Sequence, residues 1–201
     1  MIRAAENRDL CPIIALHNQY LGEYYLARLG DSFLLPYYTG ILQAHSCQIF
    51  VYEHEREVMG YLVATIDSRK LLSELLNKQG LKILTAIGKF VIGKPANFFQ
   101  LLEIAAYPIN APAPKVQAEL LYIALDNSQR KSGASELLVL KALAWLKDRG
   151  IKQVKVSTSA DNQGANQLLQ GLGFSLEGSF SLLKKNQHLY LASIDKILTD
   201  S

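Results

Sequence analysis

The chain has 201 residues, 49% of them hydrophobic and 19% charged, with a formal net charge of +3. That length accommodates one domain with a core of its own, needing no disulfide or metal to hold it, and the hydrophobic share excludes a disordered chain. A charge of +3 without a block of Lys and Arg gives no ground for a nucleic-acid partner. The two cysteines, Cys11 and Cys47, lie in apolar stretches without motif spacing and read as small buried hydrophobes. Among His17, His45, His54 and His188 no pair has metal-ligand spacing, so no metal is expected. Met1 to Glu6 lacks the apolar core of a signal peptide, and no uncharged apolar run reaches spanning length; a cytoplasmic location is the expectation.

Ile2 to Ala5 reads as a short strand, and Asp9 opens an apolar-periodic helix through Ile13, Ile14, Leu16, His17 and Tyr20. Ser32 to Ala44 reads as a second helix. Gln48 to Glu53 and Val58 to Ile66 are β-branched and aromatic runs on either side of a charged turn, which predicts an antiparallel hairpin. Residues 67–117 are helix-forming in three pieces, Leu71 to Leu76, Leu81 to Ile92 and Phe98 to Ala106, punctuated by Gly80, Gly93, Pro95, Pro108, Pro112 and Pro114. A connection of that length carries structure of its own, so a helical insertion is expected.

Beyond it, Leu120 to Leu125 reads as a strand, Ala134 to Arg149 as a helix stopped by Gly150, and Ile151 to Thr158 as a strand. Asp161 or Asn162 caps a helix through Ala165, Leu168, Leu169 and Leu172. Two closing strands are expected near Phe174 to Leu183 and Leu189 to Ile197. The sum is an α/β fold with a mixed sheet, in which a strand-helix-strand crossover makes at least one strand pair parallel.

Residues 119–135 carry the chemistry. Glu119 heads the apolar strand, a polar turn follows, and Gly133 leads directly into a helix. The first turn of a helix presents amides without intrahelical acceptors, at the positive end of the macrodipole. Gly133 lets an anion approach the backbone, and Arg130 and Lys131 add full charges beside it, so a pyrophosphate suits the turn.

Ala118-Glu119-Leu120, Arg130-Lys131-Ser132-Gly133-Ala134-Ser135, and later Asn162, Ala165 and Asn166 with Gly173-Phe174 resemble the GNAT superfamily of acyl-CoA N-acyltransferases. The family's loop R/Q-x-x-G-x-G/A and its later helix N-x-x-A-x-x-L-Y-x-x-x-G-F both occur, in the family's order. The resemblance implies a single GNAT domain over residues 1–201, with the helical insertion between strands 3 and 4, and acetyl-CoA as co-substrate without a metal. By the same resemblance, the backbone of Arg130, Lys131, Ser132, Gly133, Ala134 and Ser135 grips the pyrophosphate. Ile123 and Leu125 pair with the pantetheine arm as a further strand would. Asn162 and Asn166 hold the arm or the adenosine from the later helix. Ser135 replaces the last small residue of the loop, and Leu169 stands where many members carry the tyrosine that protonates the leaving thiolate.

A primary amine of pKa near ~10.4 must lose a proton before it attacks a thioester, and Glu119 is the candidate base. The expected acceptor is a small metabolite or amino sugar. A non-catalytic CoA-binding sensor or scaffold, prompted by Leu169, and acylation of a protein or peptide are the alternatives. The lysines of the insertion, Lys70, Lys78, Lys82, Lys89 and Lys94, read as the wet side of a lid over the acceptor site in preference to a membrane-facing surface. The insertion is also a candidate homodimer contact.

Overall fold

The computed structural model describes residues 1–22, 25–93 and 115–200. One seven-stranded sheet organises them, in the order β1-β2-β3-β4-β5-β7-β6. Strand β1 (Ile2–Ala4) leads to helices α1 (Leu10–Tyr20), α2 (Tyr25–Arg28) and α3 (Asp31–Gln43), then to the hairpin of β2 (Cys47–His54) and β3 (Glu57–Thr65). Helix α4 (Ser68–Gly93) follows, then β4 (Glu119–Leu125), α5 (Ala134–Lys147), β5 (Gln153–Ser159), α6 (Gln163–Gly171), β6 (Ser175–Leu182), β7 (Lys185–Ser193) and α7 (Ile194–Asp200). β4 and β5 run parallel; the other neighbours are antiparallel.

Both faces of the sheet are covered, which is why β3 and β4 are apolar along most of their length. On one face α1 and α3 bury Ile13, Leu34 and Ile41 against Val51, Tyr61 and Val63. On the other, α5 packs Leu138, Leu143 and Leu146 over Leu62, Leu120, Val154 and Val156. Helix α5 closes where the sequence requires: Gly150 takes φ +75°, and the Ile151 amide donates back to the Leu146 carbonyl at 3.1 Å.

Four elements differ from the sequence expectation. Gly80 does not interrupt the insertion, because α4 is one helix of 26 residues whose side chains Leu71, Leu75, Ile83 and Ala86 are buried with the α1 and α3 layer. Tertiary packing there outweighs the ~1 kcal/mol penalty of a helical glycine. Gly40 of α3 makes the contact close: a Cβ at that position would lie 2.6 Å from a Leu75 methyl. The expected helix at 98–106 lies outside the described residues, as does Lys94, while Lys70, Lys78, Lys82 and Lys89 are exposed.

The last strand begins at Lys185, not Leu189, because Leu183 and Lys184 both take positive φ (51° and 63°) and form the tight turn of a hairpin. It also ends earlier: Ile194 and Ile197, one helical turn apart, are buried from α7 in the layer of α5. Cys47 is buried, but Cys11 is exposed, since α1 turns Leu10, Ile13, Ile14 and His17 inward and leaves position 11 outside. The four-residue α2 has no counterpart in the sequence reading.

A polar knot ties α1 and α3 to the sheet. His17 Nδ1 lies 2.7 Å from the Tyr38 hydroxyl and 3.0 Å from that of Tyr61, and the two hydroxyls are 2.7 Å apart, all fully buried. Burial lowers the His17 imidazole to about 4. The unfolded chain therefore takes up a proton below about pH 6.5, whereas the folded chain resists until near 4, and stability present at neutral pH is lost between those values. Urea titrations should show the wild type losing about 2 kcal/mol through this residue between pH 7 and pH 5. His17→Gln, weaker at neutral pH, should be less sensitive to acid by that amount.

Candidate functional site

β4 and β5 stay paired for only two rungs, Glu119 with Lys155 and Leu120 with Val156. Next in β4 comes an extra residue: β3 pairs Ala64 with Leu120 and Val63 with Tyr122, leaving Leu121 as a bulge. Past the bulge β4 remains bound to β3, and the Asp126 amide donates to the Met59 carbonyl at 2.7 Å. The antiparallel alternation then follows: Tyr122 and Ala124 direct their backbone groups at β3, while Ile123 and Leu125 direct theirs at the gap on the β5 side. The two residues named from the resemblance thus present a strand edge to an opening.

At the far end of β4 the chain turns into α5. Asp126 caps a short 3-10 turn (Asn127–Gln129), accepting from the Ser128 amide at 2.9 Å and from the Tyr20 hydroxyl at 2.6 Å. The Tyr20 hydrogen bond, followed by those of Ser128, holds the Asp126 carboxyl below its ordinary range. The Ser132 hydroxyl donates to the Gln129 carbonyl at 2.7 Å, and the Ala134 amide donates to that hydroxyl at 3.3 Å. Lys131 (φ 64°) and Gly133 (φ 81°) take left-handed conformations around Ser132, and a Cβ on Gly133 would meet nothing within 4 Å. The first intrahelical bond runs from the Leu137 amide to the Gly133 carbonyl at 3.0 Å, so the Ser135 and Glu136 amides precede it at the mouth of the loop. Arg130, Lys131, Ser132 and Gly133 are exposed. Turn, amides and cations are together, as a pyrophosphate requires.

Glu119 is not a solvated strand end. Its side chain is 4% exposed, and its carboxylate lies 3.6 Å from the ammonium of Lys155, which is 2% exposed. The pair sits at the root of the opening, on the face covered by α1 and α3. Tyr122, beyond the bulge, shares a 3.0 Å hydroxyl contact with Tyr37 of α3. Burial, with the nearby Glu119 charge adding to it, pushes the Tyr122 hydroxyl up to about 12. That hydroxyl stays protonated throughout the neutral range.

The asparagines of α6 hold the end of β5. Asn162 is the N-cap, accepting from the Ala165 amide at 3.1 Å. Asn166 donates through Nδ2 to the carbonyls of Ser159, Ala160 and Asn162, and its Oδ1 accepts from the buried Tyr190 hydroxyl at 2.9 Å. Leu169 is buried with Leu120, Val156 and Phe174 on the α5 face. Among the described residues, no group of three His, Cys, Asp or Glu could hold a metal ion and no helix is long and apolar enough to cross a membrane.

Lys155 and Tyr122 have no counterpart in the sequence reading, and Tyr37 reads there as one of several packing tyrosines of the early helices. Lys155 alternates with Val154 and Val156, the pattern of a half-exposed strand, and only a sheet covered on both faces turns that lysine inward. Its signal was the acidic residue at the head of the neighbouring strand, which pairs with it only once the crossover sets the register.

The chain matches the model of the acetyltransferase (GNAT) family over residues 13–174. It is 32% identical over 97 residues to N-acetyltransferase 8F1 of Rattus norvegicus, a match spanning 47% of this chain and 43% of that protein. The chain thus covers less than half the length of that relative. Among solved structures it is similar in fold to an N-acetyltransferase from Staphylococcus aureus Mu50, with TM-score 0.64 and 17% identity over 96% of this chain and 98% of that one. It is also similar to the ribosomal-protein-alanine N-acetyltransferase from Brucella melitensis, with TM-score 0.63 and 14% identity over 96% and 99%.

Removing one member of the Glu119–Lys155 pair leaves the other charge buried. Lys155→Met or Glu119→Leu alone should cost about 3–5 kcal/mol in urea unfolding. The double variant, carrying neither charge, should recover most of that loss.

Proposed function

Because the chain belongs to the GNAT acetyltransferase family, we propose that it transfers the acetyl group of acetyl-CoA to a primary amine of a small metabolite or amino sugar, by direct attack of the amine on the thioester. The observation that carries this reading is the opening beyond the two β4–β5 rungs, with Ile123 and Leu125 facing it and the cationic turn at its end. Ile123 and Leu125 bind the pantetheine arm as a neighbouring strand would. The amides from Arg130 to Ser135 take the pyrophosphate, with the guanidinium of Arg130 and the ammonium of Lys131 closing over it. Asn162 and Asn166 act from behind: by fixing the β5–α6 turn they set the far wall of the groove.

Glu119 takes the proton of the attacking amine. Its burial puts water between carboxylate and amine as the carrier, within the reach that general-base catalysis allows. Backbone amides of the β4 bulge polarise the thioester carbonyl, a fixed-dipole contribution. Leu169 donates nothing to the departing thiolate, but a thiolate whose conjugate acid has a pKa near ~8.5 leaves without help.

A peptide or protein amine is the second reading. It is favoured by the way residues 68–93 lie along α3, with Gln79 bonded to Gln43 on that helix and Glu74 accepting from Ser46 just beyond it. Release of CoA thiol from acetyl-CoA, run against a panel of small amines and a panel of short peptides, separates the two; no release with either panel defeats both. In the same assay the double variant Arg130→Ala/Lys131→Ala should raise the KM for acetyl-CoA about tenfold at low salt, with kcat little changed, since two charge-assisted phosphate contacts are lost.

A further inference from the structure

Lys155 is the buried cation nearest the proposed chemistry. Long, charged and 2% exposed, it would be costly to bury without a partner, and it meets Glu119 one rung before the last pairing of the two strands. Its backbone is fixed as well, for its amide donates to the Ala118 carbonyl at 3.0 Å. We propose that Lys155 is a positioning residue of the transfer reaction: its ammonium holds the Glu119 carboxylate at the root of the β4–β5 opening and keeps it in the ionised form that accepts a proton. This inference rests on the reading of Glu119 as the base.

Among the described residues, the hydroxyls and the thiol of this neighbourhood carry no charge of that sign. Tyr122 on the strand of Glu119, Tyr37 on α3, and Cys47 on β2, which borders Tyr122, all keep their protons; burial pushes the Cys47 thiol, like the Tyr122 hydroxyl, up to about 12. Thr65, the partner of Glu119 on β3, gives its hydroxyl proton to the Ser46 carbonyl at 2.9 Å. In such surroundings a carboxyl favours its neutral form unless an opposite charge stands beside it. A neutral Glu119 has nothing with which to take a proton, so Lys155 governs the acid side of the reaction without touching either substrate.

The experiment measures CoA thiol release from acetyl-CoA, using the fastest primary amine of the panel at saturation, between pH 5 and pH 9. Wild type, Lys155→Met, Lys155→Arg and Glu119→Gln are compared. Dividing the kcat of each variant by that of the wild type cancels the ionisation of the amine itself. For Lys155→Met the ratio should fall about tenfold or more from pH 9 to pH 6. The KM for acetyl-CoA should stay within about twofold, and Lys155→Arg should abolish most of the slope. A ratio flat in pH for Lys155→Met, while Glu119→Gln loses the acid limb, overturns the role of Lys155 alone. A wild-type profile in Glu119→Gln overturns the base reading and this inference with it. If Lys155→Met does not fold, carbon-13 NMR of wild-type protein labelled at the glutamate carboxyls decides. The Glu119 resonance, identified by its loss in Glu119→Gln, should keep its ionised shift throughout the neutral range; protonation near neutral pH overturns the proposal.

Discussion

A central strand must satisfy backbone donors and acceptors on two sides, and β4 does so on only one for most of its length. Its ladder to β3 runs from Glu119 to Leu125, whereas its ladder to β5 stops at Leu120. Buried backbone groups are rarely left without partners, so a strand that parts from its neighbour amid a covered sheet needs something else along that edge. The bulge at Leu121 belongs to the same constraint, since it bends β4 away where the parallel pairing ends. Loop, acid pair and groove walls are all placed by this separation.

Charge around the gap bears on the polyanionic donor proposed for it. The outer end carries Arg130, Lys131 and the start of α5, and Asp126, which opens the turn, is occupied by Tyr20 and Ser128. At the inner end the Glu119 charge is matched by Lys155 at 3.6 Å. An unmatched carboxylate there would oppose the entry of a phosphate-bearing molecule and would itself be driven toward the neutral form. Pairing removes both difficulties while leaving a carboxylate within the site.

What the sequence disclosed, and what it withheld, divides by range. Local features were legible: the β2–β3 hairpin, the glycine stop of α5, the Asn162 cap, and the Arg130-to-Ser135 turn are each set by residues a few positions apart. Features set by a remote partner were not. Lys155 looks solvated until β4 and β7 flank its strand and Glu119 meets it, and Gly80 looks like a break until α3 supports the helix through it. Cys11 looks buried in an apolar run whose inward face is decided only by docking. The close of β7 deceived for a related reason, because Ile194 and Ile197 suit a strand and a helix alike, and the layer beneath α5 selects the helix.

The leucine at position 169 shows how the two faces of the sheet divide the proposed labour. On its face the sheet is covered by hydrocarbon, Leu169 being buried in one layer with Leu120, Val156 and Phe174, and the Tyr190 hydroxyl is committed to Asn166. On the opposite face stand the Glu119–Lys155 pair and the Tyr37–Tyr122 hydroxyls. A thioester bound between them has a dry side and a polar side. Water kept from the dry side cannot compete as nucleophile there, while the proton lost by the amine has a carboxylate to receive it on the other. Loss of a donor at position 169 is then consistent with transfer chemistry, because the demanding proton is the one on the amine, whose pKa near ~10.4 exceeds that of the departing thiol by about two units.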